Sequence, residues 1–332
     1  MHIISPGWQT AKDWLMSLES LWQRYAGGGY AAVRDATPAD AGECFYLALI
    51  AFAEGEPDRA ARWATMAAER APQSRVYTQA ATYLARTAGA GTARVYDDGA
   101  AFAAFIRGGG NVGLYAAVSA ALRALYGEYE SLRLLDIGVG DGLALLPALT
   151  PAVIRLDLVE PSAALFAVTR AALDARGIAY QAHGVTLAEF MASAEGQRGQ
   201  WDVIQATWSL QSIPPDERLA ALRWLRTHGK RAIIAEFDVP DFGATLSPER
   251  VRYFVARYER GLAEYDGDSG LVAQGFLLPV FCGAFDRAAA RTNWEGPAQG
   301  WSGDLRAAGF AQVIARTLYP YFWADAVLFD AR

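Results

Sequence analysis

The sequence predicts an α/β protein, a parallel sheet with helices on both faces, joined to an all-α N-terminal region. Three observations lead there. From Leu132 to Val239, short runs rich in β-formers alternate with helix-length segments, the pattern of consecutive βαβ units. The first run, Leu132–Ile137, ends in glycines at alternate positions, Gly138, Gly140 and Gly142. Before it, Met1 to about Gly91 has helical periodicity and no strand-like alternation.

In chain order, Trp14, Leu15, Leu18, Leu21, Trp22 and Tyr25 recur on one helical face, and Gly27-Gly28-Gly29 stops that helix. Thr37 as N-cap and Pro38 at the first helical position open a helix through Ala53. Glu54-Gly55-Glu56-Pro57 turns the chain into a helix over Asp58–Ala71, and a third follows over Arg75–Arg86. The hairpin near 41–72 resembles a single tetratricopeptide repeat, with Leu47, Ala48, Ala60, Ala67 and Pro72 at its small or apolar positions. Ala51 and Ala64 stand where that repeat has larger residues, so the stretch reads equally well as a plain alanine-rich hairpin. Its small faces suit close packing against the second domain or a second copy of the chain, which makes residues 1–110 the candidate homodimer contact. Asp97-Asp98-Gly99 reads as a turn, and Gly108-Gly109-Gly110-Asn111 breaks the chain before a helix over Val112–Tyr126.

The stretch LRLLDIGVGDG, Leu132–Gly142, is the most informative. A buried strand, a glycine turn and a helix (Leu143–Leu149) form the first unit of a nucleotide-binding fold. A dinucleotide fingerprint is G-x-G-x-x-G with a pyrophosphate at the helix N-terminus. Here the spacing is G-x-G-x-G, Asp136 ends the strand, and Asp141 sits in the loop where a pyrophosphate would be repelled. This pattern resembles motif I of class I S-adenosylmethionine-dependent methyltransferases. The resemblance implies a Rossmann-like seven-stranded methyltransferase sheet and S-adenosyl-L-methionine as cofactor. It also implies that Asp136 holds the cofactor's amino group and that the glycines pass under its methionine arm. The second strand, Ile154–Glu160, supports this: the Glu160 carboxylate at its tip, about 20 residues past the glycine loop, can accept from both ribose hydroxyls.

The remaining strands are expected at Ala179–His183, Val203–Thr207 and Ala232–Phe237, with helices Ala163–Ala175, Leu187–Ala194 and Pro215–Thr227 between them. Ligands bind at the carboxyl ends of such strands. That rule, together with the resemblance, implies a cofactor set of Asp136, Gly138, Val139, Gly140, Glu160, Pro161, Gly184, Val185, Thr207 and Trp208. The third strand end departs from the family: where an aspartate often takes the adenine amino group, this chain has His183-Gly184-Val185-Thr186. The fourth has Thr207-Trp208-Ser209-Leu210-Gln211 rather than the Asn/Asp-Pro-Pro-Tyr of many enzymes that methylate nucleobases or protein amides. Trp208 can wall the sulfonium, since an aromatic face attracts a cation. In the family this chain resembles, the helix before motif I brings an aromatic or polar residue to the methionine end, which makes Asn111, just ahead of that helix, and Tyr115, within it, the candidates. The catalytic candidates are Tyr115, His183, Trp208, Asp238 and Tyr258, with Glu236 and Glu264 as further bases; no spacing singles out one pair.

The ending also looks like that family: a helix over Trp301–Gly309, then strands over Gln312–Tyr319 and Ala324–Ala331. This leaves 240–297, within a domain of 111–332, as an insertion. Its aromatic residues and its amphipathic segment Pro248–Tyr265 suit a substrate cap. With a net charge of -6 and no basic run, the chain offers little to a phosphate backbone or anionic membrane. Cys44 and Cys282 form no metal or redox motif, and no leader or membrane span is legible, so a cytoplasmic protein without metal is expected. The expected function is methyl transfer to a small molecule, in bacterial specialised metabolism. Two alternatives stay open. One is aminocarboxypropyl transfer or ring closure from the same cofactor, releasing methylthioadenosine; the other is a non-catalytic interaction protein on the same fold.

Overall fold

The computed structural model describes residues 11–88, 99–265, 267 and 270–332, with side chains from Leu18 onward. The side chains of Trp14 and Leu15 on the first helical face, and the residues Asp97, Asp98, Asp266 and Asp268, lie outside what the structure describes. The chain divides into two compact units, Met1–Asn111 with Phe242–Ala290, and Val112–Asp241 with Arg291–Arg332.

The first unit is helical. Its opening segment contributes α1 (Ala11–Gly28), α2 (Ala41–Ala53), α3 (Pro57–Arg70), α4 (Arg75–Ala88) and α5 (Gly99–Ile106). The cap of α2 is Asp40 rather than Thr37. Its carboxylate accepts from Glu43 N at 2.8 Å, and Glu43 in turn accepts from Ala39 N at 2.6 Å. Two cap candidates lie three residues apart, and the acid with a glutamate three residues beyond it takes the position. Almost every residue of α2 is buried, as an apolar helix inside its own unit must be. Pro57 begins α3, where the missing N–H costs nothing.

The second unit begins within α6 (Gly109–Tyr126), at Val112, and builds the sheet: β1 (Leu132–Ile137), α7 (Leu145–Ala148), β2 (Val153–Val159), α8 (Ala163–Ala175), β3 (Gln181–His183), α9 (Leu187–Ala192), α10 (Ala194–Arg198), β4 (Trp201–Thr207), α11 (Pro215–His228) and β5 (Gly229–Phe237). The helix after the glycine loop is one turn, shorter than the run Leu143–Leu149. Gly142, at φ 79°, delays its start, and Leu149, at ψ 137°, leaves the helical conformation at its end. The predicted helix over Leu187–Ala194 divides at Ser193, which closes α9 and caps α10 through its accepted bond from Gly196 N at 3.0 Å.

The chain then leaves the sheet for α12 (Pro248–Ala263) and α13 (Leu278–Gly283), which complete the helical unit. There Phe281 packs 5.9 Å from Phe45 and edge-on to Phe254. Glu259 of α12 caps α4, accepting from Arg75 N at 3.0 Å, Val76 N at 3.1 Å and the Ser74 hydroxyl. The chain returns through α14 (Ala298–Ala307), β6 (Val313–Pro320) and β7 (Asp325–Ala331).

The seven strands lie in the order β3-β2-β1-β4-β5-β7-β6, with β1 to β5 parallel and β7 antiparallel to both neighbours. This is a mixed, seven-stranded, Rossmann-like sheet with helices on both faces. One face buries Leu135, Ile137, Ile204 and Ile234 with residues of α9, α11 and α14. The other buries Leu134, Leu158, Val203 and Ile233 with residues of α6, α7 and α8. Two such layers fix the strand register, and therefore which residues stand at the carboxyl edge. No helix among the described residues is long and apolar enough to cross a membrane.

Candidate cofactor and active site

Each glycine after β1 has its own physical requirement. Gly138, at φ 69°, would carry a Cβ only 2.4 Å from that of Ser209, whose hydroxyl donates to Ile137 O at 2.7 Å. A Cβ on Gly142 would press on Leu146 and Thr169. Gly140, at φ 57°, faces open space, with nothing within 4 Å of an added Cβ. The loop is thus packed at both ends and bare in the middle. The bare residue is tied down: Gly140 N–H donates to Glu160 Oε2 at 2.8 Å, and its carbonyl accepts from Thr169 Oγ1 at 2.7 Å.

Glu160, 6% exposed, follows β2 directly and also accepts from Ser162 N at 2.7 Å through Oε1. Each carboxylate oxygen then keeps acceptor capacity for one more donor. Asp136 and Gln205 are register partners on β1 and β4. Gln205 Nε2 donates to Asp136 Oδ2 at 2.8 Å, and Oδ1 of Asp136 is buried with no hydrogen-bond partner. Burial pushes the Asp136 carboxyl up to about 7, against the bond from Gln205. Val139 is buried beside the loop, while Pro161 and Gly184 are exposed and Val185 packs on the α9 face of the sheet.

At the end of β4 the chain turns sharply. Trp208 has φ 52°, the one positive φ outside glycine among the described residues. A bulky residue there is strained, at a cost on the order of 1–3 kcal/mol. Its amide still donates to Ala235 O at 2.8 Å, and the turn lays the indole 5.7 Å from Phe237, nearly parallel at 19°. Tyr115 of α6 meets the indole edge-on at 5.2 Å, and Tyr321 stacks on Phe237 at 5.4 Å. The indole Nε1 is buried without a partner. Trp208, Tyr115 and the glycine loop therefore come together around the carboxyl ends of β1 and β4, with Phe237 and Tyr321 extending the wall. Because glycine alone relieves the strain, Trp208→Gly is expected to be about 1 kcal/mol more stable than Trp208→Ala in urea unfolding. Equal stability would mean that the backbone is relaxed.

The other catalytic candidates lie elsewhere. His183 packs on Phe190 at 4.7 Å with Nε2 3.7 Å from Asp157, on the face of the sheet covered by α9. Asp157 is itself bound by Arg155 and by Trp201 Nε1 at 2.8 Å. Asp238 accepts from Ala298 N at 2.7 Å and caps α14. Tyr258 is buried in the helical unit, stacked on Phe254. Glu264 accepts from Gly110 N at 2.7 Å, and Asn111 donates to Phe105 O at 2.9 Å. Glu236 is fully buried and accepts from Gln211 N at 3.1 Å, and burial pushes its carboxyl well above the usual carboxylate range. Sequence reading passed over Gln205 and Tyr126; the signal was a polar side chain inside the otherwise apolar strand VIQAT. Among the described residues no group of three or more His, Cys, Asp and Glu could hold a metal ion.

No family model matches the chain, and no curated protein matches it. Solved structures do resemble it. A Nostoc punctiforme protein assigned as an O-methyltransferase is 17% identical with a TM-score of 0.43, over 64% of this chain and 55% of that one. The magnesium protoporphyrin IX methyltransferase of Synechocystis, with bound S-adenosylmethionine, is 14% identical with a TM-score of 0.42, over 67% of this chain and 81% of that one. The mitomycin 7-O-methyltransferase MmcR is 15% identical with a TM-score of 0.42, over 92% of this chain and 76% of that one. The chain thus spans little more than half the length of the Nostoc protein.

Proposed function

We propose that this chain is an S-adenosylmethionine-dependent methyltransferase acting on a small molecule, in specialised metabolism. The observation that carries the reading is the bare, clamped Gly140 between two carboxylates, Asp136 and Glu160, at the carboxyl ends of adjacent parallel strands. A nucleoside ribose offers two hydroxyl donors to Glu160, an ammonium suits Asp136, and the chain between them needs the space over Gly140. The cofactor brings its own electrophile, so the protein's task is to align an acceptor and exclude water. Trp208 and Tyr115 are the residues we assign to the sulfonium end, where their rings favour positive charge.

Glu160→Ala is expected to weaken S-adenosylhomocysteine binding by about 2–3 kcal/mol in calorimetric titration, since bonds to a charged acceptor are lost. Wild-type affinity in that variant would remove the ribose assignment. Transfer itself is tested with methyl-labelled cofactor and a fractionated cell extract. Label confined to protein or nucleic acid would refute a small-molecule acceptor, and release of methylthioadenosine would identify carbon transfer other than methyl. The assignment of 240–297 to substrate capture belongs to the same proposal. It predicts slower hydrogen exchange in residues 242–290 when cofactor and acceptor are both present, and unchanged protection there would count against it.

A further inference from the structure

A buried polar chain runs behind β1. The Tyr126 hydroxyl, from α6, donates to Gln205 Oε1; Gln205 Nε2 donates to Asp136 Oδ2 at 2.8 Å; and Asp136 Oδ1 has no partner. Tyr126 and Gln205 are fully buried and Asp136 is 1% exposed. Strands this deep in a parallel sheet are ordinarily apolar on both faces. Two polar side chains at paired register positions, with a tyrosine committed to one of them, are costly unless they serve each other.

The direction of the chain carries information. The Tyr126 proton takes the amide oxygen as its acceptor, which turns the NH₂ group toward Asp136. An N–H donor facing Oδ2 requires that oxygen to be unprotonated. A proton on this carboxyl therefore resides on Oδ1, the atom left without a partner. The titratable groups acting on Asp136 are Glu160, at the end of β2, which favours its neutral form, and Tyr126, itself kept protonated by burial; β4 contributes the neutral amide of Gln205.

We propose that Tyr126 and Gln205 are positioning residues that hold Asp136 with Oδ1 presented to the ammonium of the cofactor, so that binding displaces one proton from Asp136 to solvent. This rests on the cofactor reading above. A neutral carboxyl and a cationic ammonium become a carboxylate–ammonium pair plus one released proton. Affinity for the cofactor then rises with pH through the titration of Asp136 and levels off once the carboxyl is ionised.

The test is calorimetry with S-adenosylhomocysteine at pH 6 in two buffers of different ionisation enthalpy, repeated at pH 7 and pH 8. Release close to one proton is expected at pH 6 and close to none at pH 8, with affinity rising by about tenfold per pH unit below the midpoint. Tyr126→Phe frees the amide to turn its oxygen toward a protonated Oδ2. The midpoint should move up, so that affinity falls several-fold at pH 7 and recovers at pH 8. An equal loss at every pH would overturn the positioning role, because a purely structural defect is not rescued by pH. If that variant fails to fold, the wild-type proton count still decides. Binding with no proton released at pH 6 overturns this inference alone, whereas no binding at any pH overturns the cofactor reading and this inference together.

Discussion

Gly140→Asn is expected to remain folded and to bind S-adenosylhomocysteine at least 100-fold more weakly than the wild type, about 3 kcal/mol. Asparagine tolerates the left-handed backbone at φ 57°, and its Cβ meets nothing within 4 Å, so the loop need not move. The clamps from Glu160 and Thr169 use only backbone atoms of residue 140 and survive the change. The side chain instead occupies the open space assigned to the cofactor. Gly138→Ala is the contrasting case: its methyl collides with Ser209 Cβ, so stability falls before binding is reached. Circular dichroism, urea unfolding and calorimetry on the pair separate the two effects. Normal affinity in Gly140→Asn would show that no ligand passes over the loop.

Asp136→Asn is expected to stabilise the free protein at pH 8 while removing its affinity for the cofactor. The Asp136 carboxyl titrates at about 7 in the folded chain, pushed up by burial, against roughly 3.9 for an unfolded aspartate. Between those values the folded state holds a proton that the unfolded state has lost, so stability falls as pH rises through this window. A shift of about three units corresponds to on the order of 4 kcal/mol. The asparagine recovers part of it, about 2 kcal/mol, because its own NH₂ is then left facing the empty position of Oδ1. Near pH 4, where both forms are neutral, the two proteins should unfold at similar urea concentrations. A wild type more stable than the variant at pH 8 would show that Asp136 is comfortable as a carboxylate without a ligand. The expected result is a site that trades stability for a binding charge.

The sheet was legible because its leading strands β1 and β2 each leave a local mark: an apolar run, a glycine or acidic residue just past its tip, and a helix after it. The positions of Asp136, Gly140 and Glu160 were legible for the same reason, since each stands at or just past the end of β1 or β2. Trp208 was legible as an aromatic at a strand end, but not its left-handed backbone, because β-forming aromatics give no local signal for that conformation. His183 and Asp238 stand at strand ends as expected, yet their side chains serve Phe190 with Asp157 and the start of α14. Side-chain direction at the last residue of a strand depends on what packs above it, and that is not written nearby. The helix α5 was missed because GAAFAAFI is apolar without a polar face, so periodicity has nothing to report. The grouping of 242–290 with the N-terminal helices was also illegible, since contacts between distant segments follow from shape rather than from spacing.

That grouping has a consequence for how the protein is made. The N-terminal helices leave the ribosome long before α12 and α13, with the first five sheet strands synthesised in between. At 5–20 residues per second, the roughly 130 residues from Val112 to Asp241 occupy something like 6–26 s. During that interval the start of α4 lacks Glu259, and Phe45 lacks Phe281. The nascent helices must wait, with part of their apolar surface bare, for a segment still to be translated. Slow synthesis or a stop codon within the sheet would therefore leave the first 111 residues as an aggregation-prone fragment dependent on chaperones, even though every one of its own helices is encoded in full.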